Sequence, residues 1–408
     1  MKDPIFADGL DWVDLLIILG KVVAVFALLL VSVLFYIWFM RKVIADMQSR
    51  IGPQKAGPFG ILQSLADGTK LFFKEQSIPE GADRKIFLLS PYLAAIPAFL
   101  SFCVIPIGGT LTIAHRTTLF QVAELPIGVL FVLAMSGLGV YGVMLAGWSS
   151  GSKYPLLGSV RASAQVISYE AALGMSIVGA VMVSGTLSTR GIVNDQAWDG
   201  VSTIFDWLLF AAPVSFGVFL IAAVAEINHP PFDLVEAEQE LVGGFHTEYT
   251  GIRFAIFFLA EFMNVVTMSA VAVTLFLGGP NGPEIDFLPD LWPFVWFLVK
   301  LLVLLWATVW LRASLPRLRY DQLMDLGWRV LIPVSFLWLG VLAVIRETDH
   351  QDWNPFVSIP IAVAVAFVVM AYLVLAMPKR STATVRSVDA ADAADDDPAH
   401  TTQAAEVH

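Results

Sequence analysis

The chain has 408 residues, 57% of them hydrophobic and only 14% charged, against about 25% charged in a typical soluble domain. Together with 29 Phe, 12 Trp and a mean hydropathy of +0.74, this excludes a soluble globular protein, a coiled coil and a disordered chain. A single cysteine excludes an intrachain disulfide and a four-thiolate iron–sulfur cluster. The formal charge of −11 is uneven, since Asp389, Asp392, Asp395, Asp396, Asp397 and Glu406 contribute −6 after the last arginine.

A membrane span needs about 20 mostly apolar residues, and nine stretches read as spans: 15–40, 86–106, 122–147, 166–186, 207–227, 254–278, 292–311, 330–345 and 355–377, the eighth being the shortest. The first is too long for a secretory signal, ends in Met40-Arg41-Lys42 and follows an acidic leader with Asp3, Asp8, Asp11 and Asp14. Laid end to end with the N-terminus outside, the nine spans put 18 of 24 Lys and Arg on the inner face and only Lys2, Arg116, Arg190 and Arg346 outside. That bias predicts an N-out, C-in topology. Lipid leaves no partner for open strand edges, so the spans are expected to be helices. The expected fold is an all-α polytopic membrane protein, with no fixed-period repeat and no inverted pair of broken segments. The tail from about residue 380, rich in Ala, Asp, Ser and Thr, has no apolar face to bury and is expected to be disordered.

The first inner loop exceeds forty residues, long enough to expect structure or function of its own. After the pairs Gly52-Pro53 and Gly57-Pro58, Ile61, Leu62, Leu65, Phe72 and Phe73 recur at helical spacing, with Asp67, Lys70 and Lys74 on a separate stripe. One reading is an amphipathic helix lying at the inner membrane interface. The sharper one is a helix framing a lateral opening from the bilayer, with Arg50, Asp67 and Lys70 lining a polar chamber for an amphipathic substrate. Positive-inside bias does not explain Asp67.

The second patterned loop runs from Ala225 to Tyr249, where Pro230 and Pro231 are expected to stop the fifth helix. It carries Glu226, Asp233, Glu236, Glu238, Glu240 and Glu248, and Glu261 follows on the next helix. Close carboxylates cannot all ionise without mutual repulsion, so they are expected to titrate as a coupled set, as a proton relay requires. Equally open is that these acids pair with Arg41, Arg50 or the arginines of 312–329, or contact a basic partner.

Glu170 and Glu261 fall within spans, where a charged side chain costs about 2.5 to 3.5 kcal/mol on insertion and marks function by default. With Glu226 they lie on three helices, all toward the inner half, and are expected to face one another. Lys300 is deep enough to neutralise one of them or pass a proton, whereas Lys21 is expected to snorkel to the outer surface. His229 and His246 fit no zinc-ligand spacing, and no metal site, phosphate loop, dinucleotide fingerprint or nucleophile elbow is read.

Four stretches together resemble a known family: RIGPQKAGPFGILQSLADGTKLFFKE (50–75), AQVISYE (164–170), the acidic loop continuing to FFLAEFMN (257–264), and PRLRYDQLM (316–324). They resemble the heel component in the membrane arm of proton-pumping NADH:quinone oxidoreductase, respiratory complex I, which is designated H in bacteria and is number 1 of the mitochondrial set. The resemblance covers nearly the whole chain to about residue 378. It implies one helical membrane domain over 1–378, with a quinone-passage loop at 41–85 and an acidic coupling loop at 228–253, ahead of the acidic cytoplasmic tail 379–408. It also implies quinone as substrate, no cofactor on this chain, and FMN and iron–sulfur clusters in partner subunits. Implied partners are the peripheral-arm iron–sulfur and quinone-site subunits, the antiporter-like membrane subunits and lipid, with no nucleic acid, in the bacterial cytoplasmic membrane.

Residue by residue, Glu170, Glu226, Asp233, Glu236, Glu238, Glu240 and Glu261 match the family's carboxylate chain linking the quinone chamber to the pumping subunits. Arg41, Arg50, Asp67 and Lys70 match its polar quinone-passage residues. Two positions depart from the family: Met40 stands where many relatives carry Glu, and His229 where Arg is common, which makes that corner sensitive to pH near 6.5. The competing classes are a proton-coupled secondary transporter, the related membrane subunit of an energy-converting hydrogenase, and a structural anchor. The first expects activity from the isolated chain, partner identity separates the second, and the third leaves Glu170 and Glu261 unexplained.

Overall fold

The computed structural model describes residues 4–6, 11–113, 115–197, 207–233, 242–283, 291–351 and 355–376. In chain order the elements are α1 (Trp12–Met47), α2 (Gln63–Phe73), α3 (Arg84–Phe102), β1 (Thr110–Ile113), β2 (Arg116–Leu119), α4 (Gly128–Ser149), α5 (Lys153–Ser184) and α6 (Thr189–Asp195). Then come α7 (Leu208–Ala211), α8 (Pro213–Glu226), α9 (Gly251–Phe276), α10 (Trp292–Ser314), α11 (Tyr320–Asp325), α12 (Ile332–His350) and α13 (Pro355–Ala376). Seven described helical runs are long and apolar enough to cross a membrane: α1, α3, α4, α5, α9, α10 and the run Tyr320–Thr348; α8 and Phe356–Tyr372 are shorter apolar helices. The chain is a predominantly helical, multi-pass membrane protein.

Local chemistry sets the ends of these helices. Asp11 caps α1 in a reciprocal capping box with Asp14, and Asp83 caps α3 by accepting from the Lys85 amide. Gly185 closes α5 in the left-handed conformation at φ +73°, as a residue without Cβ does most easily. The fifth apolar stretch is split at Ala212 into α7 and α8, with Pro213 opening the second piece. α8 ends at Glu226, four residues ahead of Pro230. The eighth stretch is longer than its apolar core, because α11 continues through a π-helical turn at Leu326–Leu331 into α12.

α9 is the most buried helix, with a nearly continuous buried run from Phe262 to Phe276 packed among α1, α3 and α10. Small residues bring the other helices close. A Cβ on Gly142 of α4 would stand 2.6 Å from the Ala94 nitrogen of α3, and one on Gly158 of α5 would stand 2.8 Å from the Gly244 backbone.

The connection from α3 to α4 carries a short antiparallel hairpin, Thr110 opposite Leu119 through Ile113 opposite Arg116, between the helical spans. One expectation is corrected here: Lys21 does not snorkel. It is buried and donates to Thr118 Oγ1 at 3.1 Å and the Leu119 carbonyl at 3.3 Å, so the hairpin's own acceptors take the place of water. Arg116 completes this clasp by pairing with buried Asp14 at 2.7 Å.

Candidate functional site

Glu226, Asn228 and Glu261 converge on one buried cavity of about 100 Å³, walled by α3, α4, the end of α8, the Phe245-His246 turn and α9. Glu226 is the last residue of α8, and Asn228 turns the chain with φ +59°. On α4, Ser136 donates to Glu226 Oε1, while Glu226 Oε2 is buried with no hydrogen-bond partner among the described residues. The next residue, Gly137, makes room for the third acid: a Cβ there would lie 2.8 Å from Glu170 Oε1. Glu170 lies within electrostatic reach of Glu226. Glu261 is ten residues into α9, about 15 Å from its start. Of the three helix acids expected to face one another, Glu226 and Glu261 line one cavity and Glu170 lies beside Glu226.

The segment after α8 supplies two further contacts. His229 Nδ1 lies 3.3 Å from Glu261 Oε1, and buried Asp233 pairs with Arg317 at 2.7 Å. The second contact is the ion pairing read as an alternative for these acids, and the Leu318 amide reinforces it by donating to the Pro231 carbonyl. Glu236, Glu238 and Glu240 lie outside the described residues, as does the tail from 377. His246 lines the cavity between the edges of Phe245 and Phe254, and burial pushes its imidazole down to about 4. It is therefore neutral at physiological pH.

At the same end of the bundle, Arg41 of α1 pairs with Asp67 of α2 at 2.7 Å, and Gln63 donates to the other carboxylate oxygen at 3.1 Å. Burial alone would raise the Asp67 carboxyl, but hydrogen bonds from Arg41 and Gln63 and the charges of Arg41 and Lys70 outweigh it and hold it below its ordinary value. Arg50 is exposed and engages Gln48 at 2.7 Å. Phe59, Ile61, Leu62, Leu65, Phe72 and Phe73 are all exposed, and the Trp38 indole donates to the Phe59 carbonyl, tying this apolar loop to α1. Gly60, at φ +79°, is required there, since a Cβ would meet the Pro53 carbonyl oxygen at 2.3 Å.

Lys300 does not neutralise the acids. Its Nζ donates to the carbonyls of Leu277, Gly279 and Asn281 and lies 4.4 Å from the Trp207 ring, so it closes the far end of α9. A cation there satisfies carbonyls that the helix end leaves without amide partners. Sequence reasoning passed over Ser136, Gly137, Asn228, Asn264 and His246 as parts of the acid site. A Ser-Gly pair inside an apolar span was the available signal for the first two.

The NADH dehydrogenase family model matches residues 20–343. The NADH-quinone oxidoreductase H subunit of Frankia alni is 54% identical over 357 residues, covering 86% of this chain and 77% of that protein. Its counterpart in Frankia casuarinae is 53% identical over 352 residues, covering 85% and 76%. The chain thus belongs to the NADH dehydrogenase family, with the H subunits of NADH-quinone oxidoreductase, and is a membrane subunit of that oxidoreductase complex.

Proposed function

We propose that this chain forms part of the quinone chamber and couples quinone reduction to proton translocation. Arg41, Arg50, Asp67 and Lys70 line the quinone passage, with α2 lying at the inner interface and its exposed phenylalanines in lipid. The relay comprises Asp233, Glu236, Glu238, Glu240, Glu226, Glu170 and Glu261. The observation that carries this reading is the sharing of one buried cavity by Glu226 and Glu261, with Glu170 against the adjoining face of α4.

Such an arrangement suits the task. Reducing a quinone takes up two electrons and two protons, and in a site shielded from water that change of charge acts strongly on nearby carboxylates. Nine spans with the N-terminus outside place both clusters toward the cytoplasmic face of a bacterial inner membrane. The electrons arrive from FMN and iron–sulfur clusters in partner subunits, and antiporter-like partners receive the proton signal.

Glu226→Gln and Glu261→Gln keep the shape and remove the ionisable group. In membranes where the complex assembles, proton pumping per NADH oxidised should fall severalfold or more. Native pumping in both variants would refute the relay and leave a quinone-passage and scaffold subunit.

A further inference from the structure

His229 is 4% exposed, and its Nδ1 lies 3.3 Å from the Glu261 carboxyl. Its ring meets Phe262 edge-on at 5.7 Å, and Phe262 packs in turn on Tyr36 of α1. The imidazole is thus fixed between an acid and an aromatic wall, bridging the end of α8 to the middle of α9. A guanidinium in such a place would be permanently charged, whereas imidazole gains and loses a proton near neutral pH. An imidazole and a carboxyl in contact have two forms of the same net charge, imidazolium with carboxylate and imidazole with carboxylic acid. They differ only in which side of the 3.3 Å Nδ1–Oε1 contact holds the proton.

We propose that His229 and Glu261 act as one proton-holding unit, with His229 as the nitrogen base of the acid cavity. The inference rests on the relay reading above and adds to it a residue that the carboxylate chain does not contain. In the step, the Glu261 O–H bond breaks, its electron pair stays on the carboxylate, and an N–H bond forms on His229. The charge of the pair is unchanged. A proton reaching the cavity when the pair is already in either form raises its charge by one, and a proton leaving lowers it by one.

Groups on every neighbouring element set the pair's charge. Tyr36 on α1 lies within electrostatic reach of both Glu261 and Arg312 of α10. Glu226 and His246 line the same cavity as Glu261, and Glu170 on α5 lies within reach of Glu226. Four residues beyond His229, Asp233 is held by Arg317.

The test uses the assembled complex in native membranes, with quinone-dependent NADH oxidation and proton pumping followed from pH 6 to 9. His229→Asn retains a donor near the Nδ1 position but cannot titrate, and His229→Arg fixes the charge. Both variants are expected to lose one ionisation from the pH profile of pumping, and His229→Asn, which leaves neither a base nor a charge there, to pump severalfold less at pH 7. Profiles that overlay the native one would overturn the proposal. If neither variant assembles, the native complex decides by infrared difference spectroscopy with 15N-labelled histidine. An imidazole band that shifts when quinone is reduced supports the assignment, and none overturns it. Glu226→Gln separates the two levels: if it pumps normally the relay itself fails, and if it is impaired while His229→Asn is native, only the role of His229 fails.

Discussion

A glycine and a histidine around the acid cavity make sharp single-residue predictions. Gly137 leaves the space that Glu170 occupies, because a Cβ would fall 2.8 Å from Glu170 Oε1, the far end of a flexible side chain. Gly137→Ala should therefore fold and assemble normally while pushing the carboxyl out of place. The expected result is unchanged assembly with pumping reduced severalfold. Native pumping in that variant would show that the position of Glu170 is immaterial. His246 carries the opposite sort of information, because burial lowers its titration from 6.5 to about 4. Below pH 6.5 the unfolded segment takes up a proton that the folded one refuses, so closure of this turn weakens as pH falls from 6.5 toward 4 and is insensitive to this group above 6.5. Hydrogen exchange over residues 244–250, corrected for intrinsic rates, should show the opening equilibrium rising up to tenfold per pH unit in that window. His246→Asn should flatten the dependence. A flat response in the native protein would mean that the imidazole is not held neutral.

Among the elements, the pairing of α3 with α4 depends on Gly142, whose missing Cβ lets the Ala94 backbone approach. Gly142→Val forces two helix backbones apart and is expected to cost about 1–3 kcal/mol, the usual range for overpacking. It should lower the thermal midpoint of the complex or the amount assembled, while Gly174→Ala, where a Cβ meets nothing within 4 Å, should leave both near native. Equal behaviour of the two variants would remove close α3–α4 packing as a source of stability. The helices themselves were largely legible: seven of the nine apolar stretches fall on helices long and apolar enough to cross a membrane, and the other two on shorter apolar helices, because apolar length is what a bilayer demands. Breaks and extensions were not. Ala212 interrupts the fifth stretch because Pro213 disfavours helical backbone in the residue before it, a mark hidden inside a continuous apolar run, and the π-turn carries α11 into α12 through Gly327, Trp328 and Arg329, which read as loop. The hairpin had a signal in its β-branched TLTI and RTTL segments, overridden by the expectation that a membrane chain is helical. Convergence of Glu170, Glu226 and Glu261 followed from their depth along three helices. The partners of Lys21 and Lys300 were hidden, because both pair with backbone carbonyls that no residue-type pattern reports.

For the whole molecule, the polar chemistry is sorted between two ends. Asp14, Lys21, Arg116 and Lys300 tie down the hairpin end, while the Arg41–Asp67 and Asp233–Arg317 pairs and the Glu226 and His246 side of the acid cavity lie toward the other. In the nine-span reading of the sequence, the loops on that side hold 18 of the 24 Lys and Arg against four on the other, so that end should face the cytoplasm. The lone Cys103 is 8% exposed, which leaves little background for cysteine labelling. Thr117→Cys in β2 and Lys74→Cys just past α2, both at exposed positions, report opposite ends. A membrane-impermeant maleimide should label Thr117→Cys only in intact cells and Lys74→Cys only in inverted vesicles. The reverse pattern would overturn the orientation and, with it, more than a diagram. The Arg41–Asp67 pair and the cavity of Glu226 and Glu261 share one end of the bundle, so the labelling fixes which membrane face both lie toward. Inner-face labelling of Lys74→Cys would place the Arg41–Asp67 pair and the acid cavity toward the cytoplasm, the side that the proposed relay needs.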